Sequence, residues 1–356
     1  MQFEYFGLDK KAEKINLFPE FEAQIKLPLN YQENPFNGPK SKIIQAMDLF
    51  KFRNVFVSSE GIIFKNFSFS EESIFYGDVK KLYTKLIDKF HFFRKNYLKR
   101  KTIHLKKAVL ALDPWSQINY YHWLCDAMMR VAAVSPSLEK DMMFIVPYEK
   151  FSLKNEVILE SLRAFNIDES QILKIEKNQK VKVDELLMPS HATQDPSYFR
   201  EDLLNLVREK IKIFHRDNLE FNLGKKIYIS REKALYRKVR NENEVINLLK
   251  KHDFKIVNME DYSFLEQVAI SHNANCLISC HGAGLANILF MERNSFVLEL
   301  INENMDRMHF YNLASSAAVN YLLLKCRQVS DEKNANDDII VDIAALEKNL
   351  EIINQI

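Results

Sequence analysis

The chain has 356 residues, room for two α/β domains, and its 47% hydrophobic and 28% charged content is that of a globular protein with a sizeable core. Fifty basic residues against 48 acidic ones leave a net charge of +2; a protein built mainly to hold nucleic acid shows a clear basic excess, so no nucleic-acid partner is expected. No long apolar run predicts a membrane-spanning helix and no basic-then-apolar leader opens the chain. Cys125, Cys276, Cys280 and Cys326 lack metal-ligand spacing, so the expectation is a cytoplasmic protein with reduced core thiols and no metal or other cofactor.

Residues 1–50 read as irregular, with turn signals at Asn34-Pro35 and Asn37-Gly38-Pro39. Strand-like runs at 54–58 and 61–64, separated by Ser59-Glu60, predict a hairpin. Residues 88–107 are both basic and aromatic, with Phe90, Phe92, Phe93, Arg94, Lys95, Tyr97, Lys99, Arg100 and Lys101. That stretch fits a helix with solvated cations and its rings in the core, or a segment lying on an anionic membrane at the inner face; the first is the simpler. A buried strand follows at 108–112, then a helix over 120–131, a strand at 142–146, a helix over 157–165, a strand at 180–187 and a helix over 198–214. This alternation favours a layered α/β domain.

The second half alternates more regularly, with strands at 226–230, 254–257, 276–279 and 296–300. Asn241 with Glu244, and Ser263 with Glu266, have the spacing of a helix-opening capping box, and a further helix is expected over 282–291. Such a pattern implies a parallel, doubly wound sheet whose ligands bind at the carboxyl ends of its strands. A polar linker over 330–338 precedes an amphipathic helix over 339–352. The expected division is an acceptor-side domain over 1–222, a nucleotide-sugar-binding domain over 223–330, and a C-terminal helix within 331–356 that packs back across the domains.

Four segments carry candidate chemistry. His281-Gly282-Ala283-Gly284 lies between a strand and a helix and holds two of only seven glycines in the chain; free N–H groups there suit a diphosphate, and a ligand-free tight turn has the same pattern. Ser230-Arg231 ends a strand, where a guanidinium can clamp phosphate oxygens; the nearby Arg237, Lys238 and Arg240 read as a solvated basic loop. Glu299 closes an apolar run and is either a ribose acceptor or a member of an ion pair. His122 and Asp126 share a helix face at i and i+4, serving either as an acid-base pair for an acceptor hydroxyl or simply as partners of each other.

In this order the segments resemble glycosyltransferase family 61, the group that includes bacterial capsular polysaccharide biosynthesis proteins. The family pattern of N-Y-Y-H-W-x-x-D, I-S-R, E-x-V-x-x-L, S-F-x-E-Q-V, H-G-A-G-L-x-N and F-V-L-E appears here at 119–126, 229–231, 242–248, 263–268, 281–287 and 296–299. One departure is Met128-Met129-Arg130, where many relatives carry Leu-Pro-Arg, a change of packing more than of chemistry. The resemblance implies a GT-B arrangement of two Rossmann-like domains facing across a cleft, and inverting transfer from a nucleotide-sugar donor to a glycan or lipid-linked glycan acceptor. The chain has no Asp-x-Asp triplet for a divalent cation, so the expected site is metal-free: Ser230, Arg231, His281, Gly282, Ala283, Gly284, Asn287 and Glu299 on the donor, and His122 or Asp126 as base. Two rivals are a non-catalytic nucleotide- or glycan-binding subunit of a polysaccharide assembly complex and a phosphate-handling hydrolase using His281; against the hydrolase, the chain has no GxSxG elbow or nucleophile pair.

Overall fold

Strands rich in buried aliphatic residues set the architecture of both halves. The computed structural model describes residues 7–36, 39, 41–74, 86–150, 153–192, 198–332 and 334–355, so part of the turn expected at Asn37-Gly38-Pro39 lies outside the described residues. The chain divides into two compact units: Met1–Phe21 with Gln45–Gln194, and Glu22–Ile44 with Asp195–Ile356. The second unit thus takes in residues 195–222, which the sequence alone assigns to the first. Arg208 of helix Glu201–Phe214 ties that stretch down, donating to Leu289 O at 2.5 Å and to Ala317 O at 2.9 Å. The second unit also recruits an N-terminal segment: Asn30 Nδ2 donates to Asn349 Oδ1 and Leu323 O, both at 2.7 Å, and Lys325 Nζ donates to Pro35 O at 3.0 Å.

The second unit is built on a six-stranded sheet. Its order is Lys255–Val257, Lys226–Ile229, Cys276–Cys280, Phe296–Asn302, Asn320–Gln328 and Ile339–Ile340, all parallel except the last. In sequence rank that reads 2-1-3-4-5-6, so the order reverses between Lys226–Ile229 and Cys276–Cys280, and a doubly wound sheet binds ligands at such a switch point. Alternate residues serve opposite faces. Tyr228, Ile278, Leu298 and Leu322 pack with Val245, Leu248 and Leu249 of helix Glu242–Lys251 and with Leu346, Leu350 and Ile353 of helix Ile343–Gln355. On the other face Ile229 lies under Gly284, and Tyr321 packs on Tyr311 of helix His309–Ser316 with ring centroids 5.4 Å apart.

Two local expectations in this unit change. Ser263 and Glu266 form the expected capping box, whereas Asn241 spends its amide on Val341, donating to its O at 2.8 Å and accepting from its N at 2.9 Å. The glycine-bearing segment is a 3-10 helix, Ala283–Phe290, and not an α-helix. Every side chain from Leu285 to Phe290 is buried, so its surroundings, and not an amphipathic stripe, hold it.

The first unit carries a mixed sheet. Gln179–Pro189, Lys101–Val109, Met143–Val146 and Ile172–Lys174 run parallel, while Met47–Ser58, Ile63–Lys65 and Ser68–Phe69 extend it antiparallel, with Glu13–Phe18 also on Met47–Ser58. The hairpin expected at 54–64 is present with Phe56 opposite Phe64 and Val57 opposite Ile63, and Gly61 takes its turn at φ +76°. The basic stretch divides into helix Leu86–Arg94, a π turn at Lys95–Lys99 and strand Lys101–Val109. That strand starts seven residues before the expected 108–112 run because Ile103 and Leu105 alternate half-buried with exposed Thr102, His104 and Lys106.

Candidate functional site

At the switch point of the second unit, strand Lys226–Ile229 ends in Ser230-Arg231 and strand Cys276–Cys280 ends in His281-Gly282. Gly282 has φ 173°, an extended conformation open to any residue, so space and not backbone conformation favours glycine there. A Cβ at this position would overlap Arg231 Nη1 and lie 2.6 Å from Arg231 Cζ. The guanidinium thus approaches the peptide that opens the 3-10 helix with its Nη1 end foremost. It is held from the other side by its own loop, donating from Nε to Arg237 O at 3.2 Å and from Nη2 to Tyr236 O at 2.9 Å. Ser230 Oγ and Tyr228 OH both donate to Glu242 Oε1, at 2.8 and 2.9 Å, so Ser230 fixes the strand end.

His281 is buried, and its Nδ1 pairs with Glu299 Oε1. The second oxygen of Glu299 accepts from Tyr321 OH at 2.5 Å, and Glu299 is wholly buried. Glu299 therefore faces His281 and not an open ribose site; its protein partners account for both oxygens. A carboxylate on Nδ1 fixes the imidazole tautomer and leaves Nε2 available. Burial holds the His281 pKa below the usual histidine value, with the charges of Arg237 and Arg307 pushing the same way against Glu299. Asn287 is also fully buried, donating to Gln267 Oε1 at 3.2 Å and Gly284 O at 3.1 Å. Gln267 in turn donates to Met259 O at 2.9 Å, so Asn287 braces the turn from behind. Ala283 and Gly284 are half-buried and place the first N–H groups of the 3-10 helix at this edge.

Arg237, which the sequence reads as part of a solvated basic loop, joins this edge. Arg237, at φ +60°, has its pKa lowered by burial and then by the charges of Arg231 and Arg307. Among the described residues its buried Nε has no hydrogen-bond partner. The Cys280 thiol feels both Arg231 and Arg237. Arg231 and Arg237 thus share one loop at this edge, Arg231 donating to Arg237 O, and the charges of Arg237 and Arg307 act on His281. The signal was the cation run itself, which lacks an intervening carboxylate after Glu232 up to residue 240.

The first unit gathers its candidates at the carboxyl ends of its parallel strands. Asn119 caps Tyr120–His122, which runs through a π turn at Trp123–Ala127 into helix Met128–Val134. Wide turns of this kind recur at functional sites. His122 Nδ1 meets Asp126 Oδ2 at 2.5 Å, and both side chains keep 12% of their surface in solvent, so the pair is desolvated but reachable. Trp115 lies beside the imidazole, with ring centroids 5.6 Å apart. Behind it Asp113 caps helix Pro114–Ile118, its carboxyl pushed up by burial against the opposing charge of Arg130 at 3.7 Å. Arg130 is itself lowered to about 10 by burial, and donates to Pro189 O at 2.9 Å. His191, after Pro189, is held well below the usual value by burial and then by Arg130. Asp113 and His191 had no motif signal, and the Met128-Met129-Arg130 segment marked Arg130 only as a matter of packing; folding brings the three together.

Among the described residues no group of three or more His, Cys, Asp or Glu side chains is placed to hold a metal ion, and no helix is long and apolar enough to cross a membrane. The four cysteines are free and buried.

Comparison with known proteins adds a family. The chain is 35% identical over 119 residues to an EGF domain-specific O-linked N-acetylglucosamine transferase of Bos taurus, covering 31% of this chain and 22% of the relative. The corresponding proteins of Canis lupus familiaris and Drosophila melanogaster are 38% and 40% identical over 92 and 78 residues, covering 24% and 21% of this chain and 17% and 15% of theirs. The similarity thus spans about a fifth of those relatives' length. Residues 120–298, which include the His122–Asp126 pair, the Arg231 strand end and the His281 turn, match Glycosyltransferase 61, and the chain belongs to that family.

Proposed function

We propose that the chain is an inverting, metal-independent glycosyltransferase that moves a sugar from a nucleotide-sugar donor to a glycan acceptor. The observation that carries this is the seat of the Arg231 guanidinium against Gly282 at the head of the 3-10 helix, beside buried His281, at the switch point of the second unit. Cations fixed before the reaction stabilise a leaving diphosphate as its charge develops, the role a divalent ion otherwise fills. The N–H groups of Ala283 and Gly284 and Nε2 of His281 add donors at the same edge, and Ser230, Asn287 and Glu299 hold those donors in place.

The first unit supplies the base, with the two units as the donor and acceptor lobes of a GT-B enzyme. With Nδ1 of His122 on Asp126, Nε2 is left to take the acceptor hydroxyl proton. The acceptor oxygen then bonds to the anomeric carbon, the bond from that carbon to the diphosphate oxygen breaks, and the nucleoside diphosphate leaves with the electron pair. A single displacement inverts the centre. Removing general-base catalysis costs about 10²–10⁴-fold in rate, so His122→Ala should lose that much turnover, and Asp126→Asn somewhat less. Near-normal turnover in both variants would refute the base assignment.

The resemblance to capsular polysaccharide proteins favours a bacterial surface glycan as acceptor, and the names of the curated relatives make an N-acetylglucosamine nucleotide the first donor to try. A thermal-shift panel of nucleotide-sugars tests the donor site, since a ligand at 100 times its Kd stabilises by about 2.7 kcal/mol. If no nucleotide or nucleotide-sugar stabilises the protein, the donor site is wrong. Binding without transfer to any glycan would instead make the chain a non-catalytic subunit.

A further inference from the structure

The segment between the glycine turn at Gly61 and strand Lys101–Val109 has two very different sides. Helix Leu86–Arg94 passes into the π turn Lys95–Lys99, with Arg94 still helical between them. On the inner side Phe92 and Phe93 join Ile62, Phe64 and Phe69 in an apolar cluster. Buried Asn96 accepts from Arg100 Nη1 at 2.9 Å, and Arg100 also donates to Glu60 Oε2 at 2.6 Å. The outer side is Ile87, Phe90, His91, Arg94, Lys95, Leu98 and Lys99, all exposed and repeating every three and four residues, so they form one stripe. A helix that faces only water carries polar groups there. Here Ile87 is 55%, Phe90 60% and Leu98 78% exposed.

The charges on this stripe are one-sided. Glu60 is committed to Arg100 and Lys95, and Asp88 is half-buried. Among the described residues Arg94 and Lys99 make no ion pair. We propose that this stripe docks the protein on an anionic membrane surface, with Phe90 and Leu98 in the boundary between headgroups and acyl chains and Arg94 and Lys99 among the lipid phosphates. An apolar row flanked by unneutralised cations is the pattern of a helix lying in a membrane interface. A nucleic acid would satisfy the cations and leave the aliphatic residues in water, so it fits less well.

The test is co-sedimentation of the full chain with phosphatidylcholine vesicles, with and without phosphatidylglycerol, at low and high salt. Binding is expected only with phosphatidylglycerol and should weaken as salt rises. Each cation near such a surface contributes roughly fivefold to partitioning, so Arg94→Gln/Lys99→Gln should bind about 25-fold more weakly. Phe90→Ser/Leu98→Ser should also bind more weakly while keeping the salt dependence. All four residues are exposed, and circular dichroism checks that both variants fold. The proposal falls if wild type shows no phosphatidylglycerol-dependent binding, or if either folded double variant binds like wild type. None of these outcomes depends on the transfer reaction.

Discussion

Replacing Gly282 with alanine is a sharp probe of the candidate donor site, because its effect is predicted from one contact. The backbone there is extended at φ 173°, so alanine introduces no conformational strain. Its Cβ would overlap Arg231 Nη1 and sit 2.6 Å from Cζ, so the guanidinium must leave its seat. Leaving breaks the bonds to Arg237 O and Tyr236 O. Each such bond from a charged donor contributes about 1.5 kcal/mol at most in this half-exposed loop. The far end of the side chain is flexible and can find water, so the net loss should be about 1–3 kcal/mol. For a unit of this size that lowers the melting temperature by roughly 3–10 °C. The diagnostic is a double-mutant cycle by urea unfolding: with Arg231 cut to alanine there is nothing to displace, and Gly282→Ala should then cost almost nothing more. If the two losses simply add, or if Gly282→Ala alone is neutral, the guanidinium does not rest on that peptide.

Two further outcomes concern the buried triad of His281, Glu299 and Tyr321. Tyr321→Phe deprives a fully buried carboxylate oxygen of its donor; the urea midpoint should fall by the equivalent of about 2–3 kcal/mol, and an unchanged midpoint would mean Glu299 has another partner. Because burial lowers the His281 pKa in the folded protein, the unfolded chain takes up a proton at a higher pH than the native one. Stability should therefore decline as pH falls below about 6.5, the unfolded value. His281→Gln should make that slope shallower, the remainder coming from His191 and His272, which burial also lowers, and an unchanged slope, measured as unfolding midpoint against pH, would assign the titration to those two.

Much of the second unit could be read from the sequence because parallel strands covered on both faces are written as near-continuous apolar runs. Cys276–Cys280 and Phe296–Asn302 are apolar but for Ser279, Glu299 and the terminal Asn302, and the Ser263–Glu266 box marks its helix directly. What escaped were interactions set by register between strands. Glu299 lies opposite Ser279 in the ladder, which carries its side chain to His281 two residues on; no spacing rule reveals that, so the lone acid read equally as a ribose acceptor or an ion-pair member. Arg237 escaped for a related reason. It looked like one of several solvated cations until the loop after Arg231 folded back through a left-handed residue. Asn241 shows the converse, a correct capping pattern overruled because the strand end at Val341 offered its amide two bonds.

Because residues 45–194 form most of one unit and are flanked on both sides by the other, order of synthesis matters for this protein. On the ribosome the inserted unit can complete itself while residues 22–44, with apolar Ile25 and Phe36, still await their sheet. The strand and helix that receive them lie some 290 to 319 positions downstream. The equilibrium penalty for closing so long a loop grows only logarithmically with its length. The delay, however, is the time needed to translate those intervening residues, during which the early segment's apolar side chains stay uncovered by their own sheet.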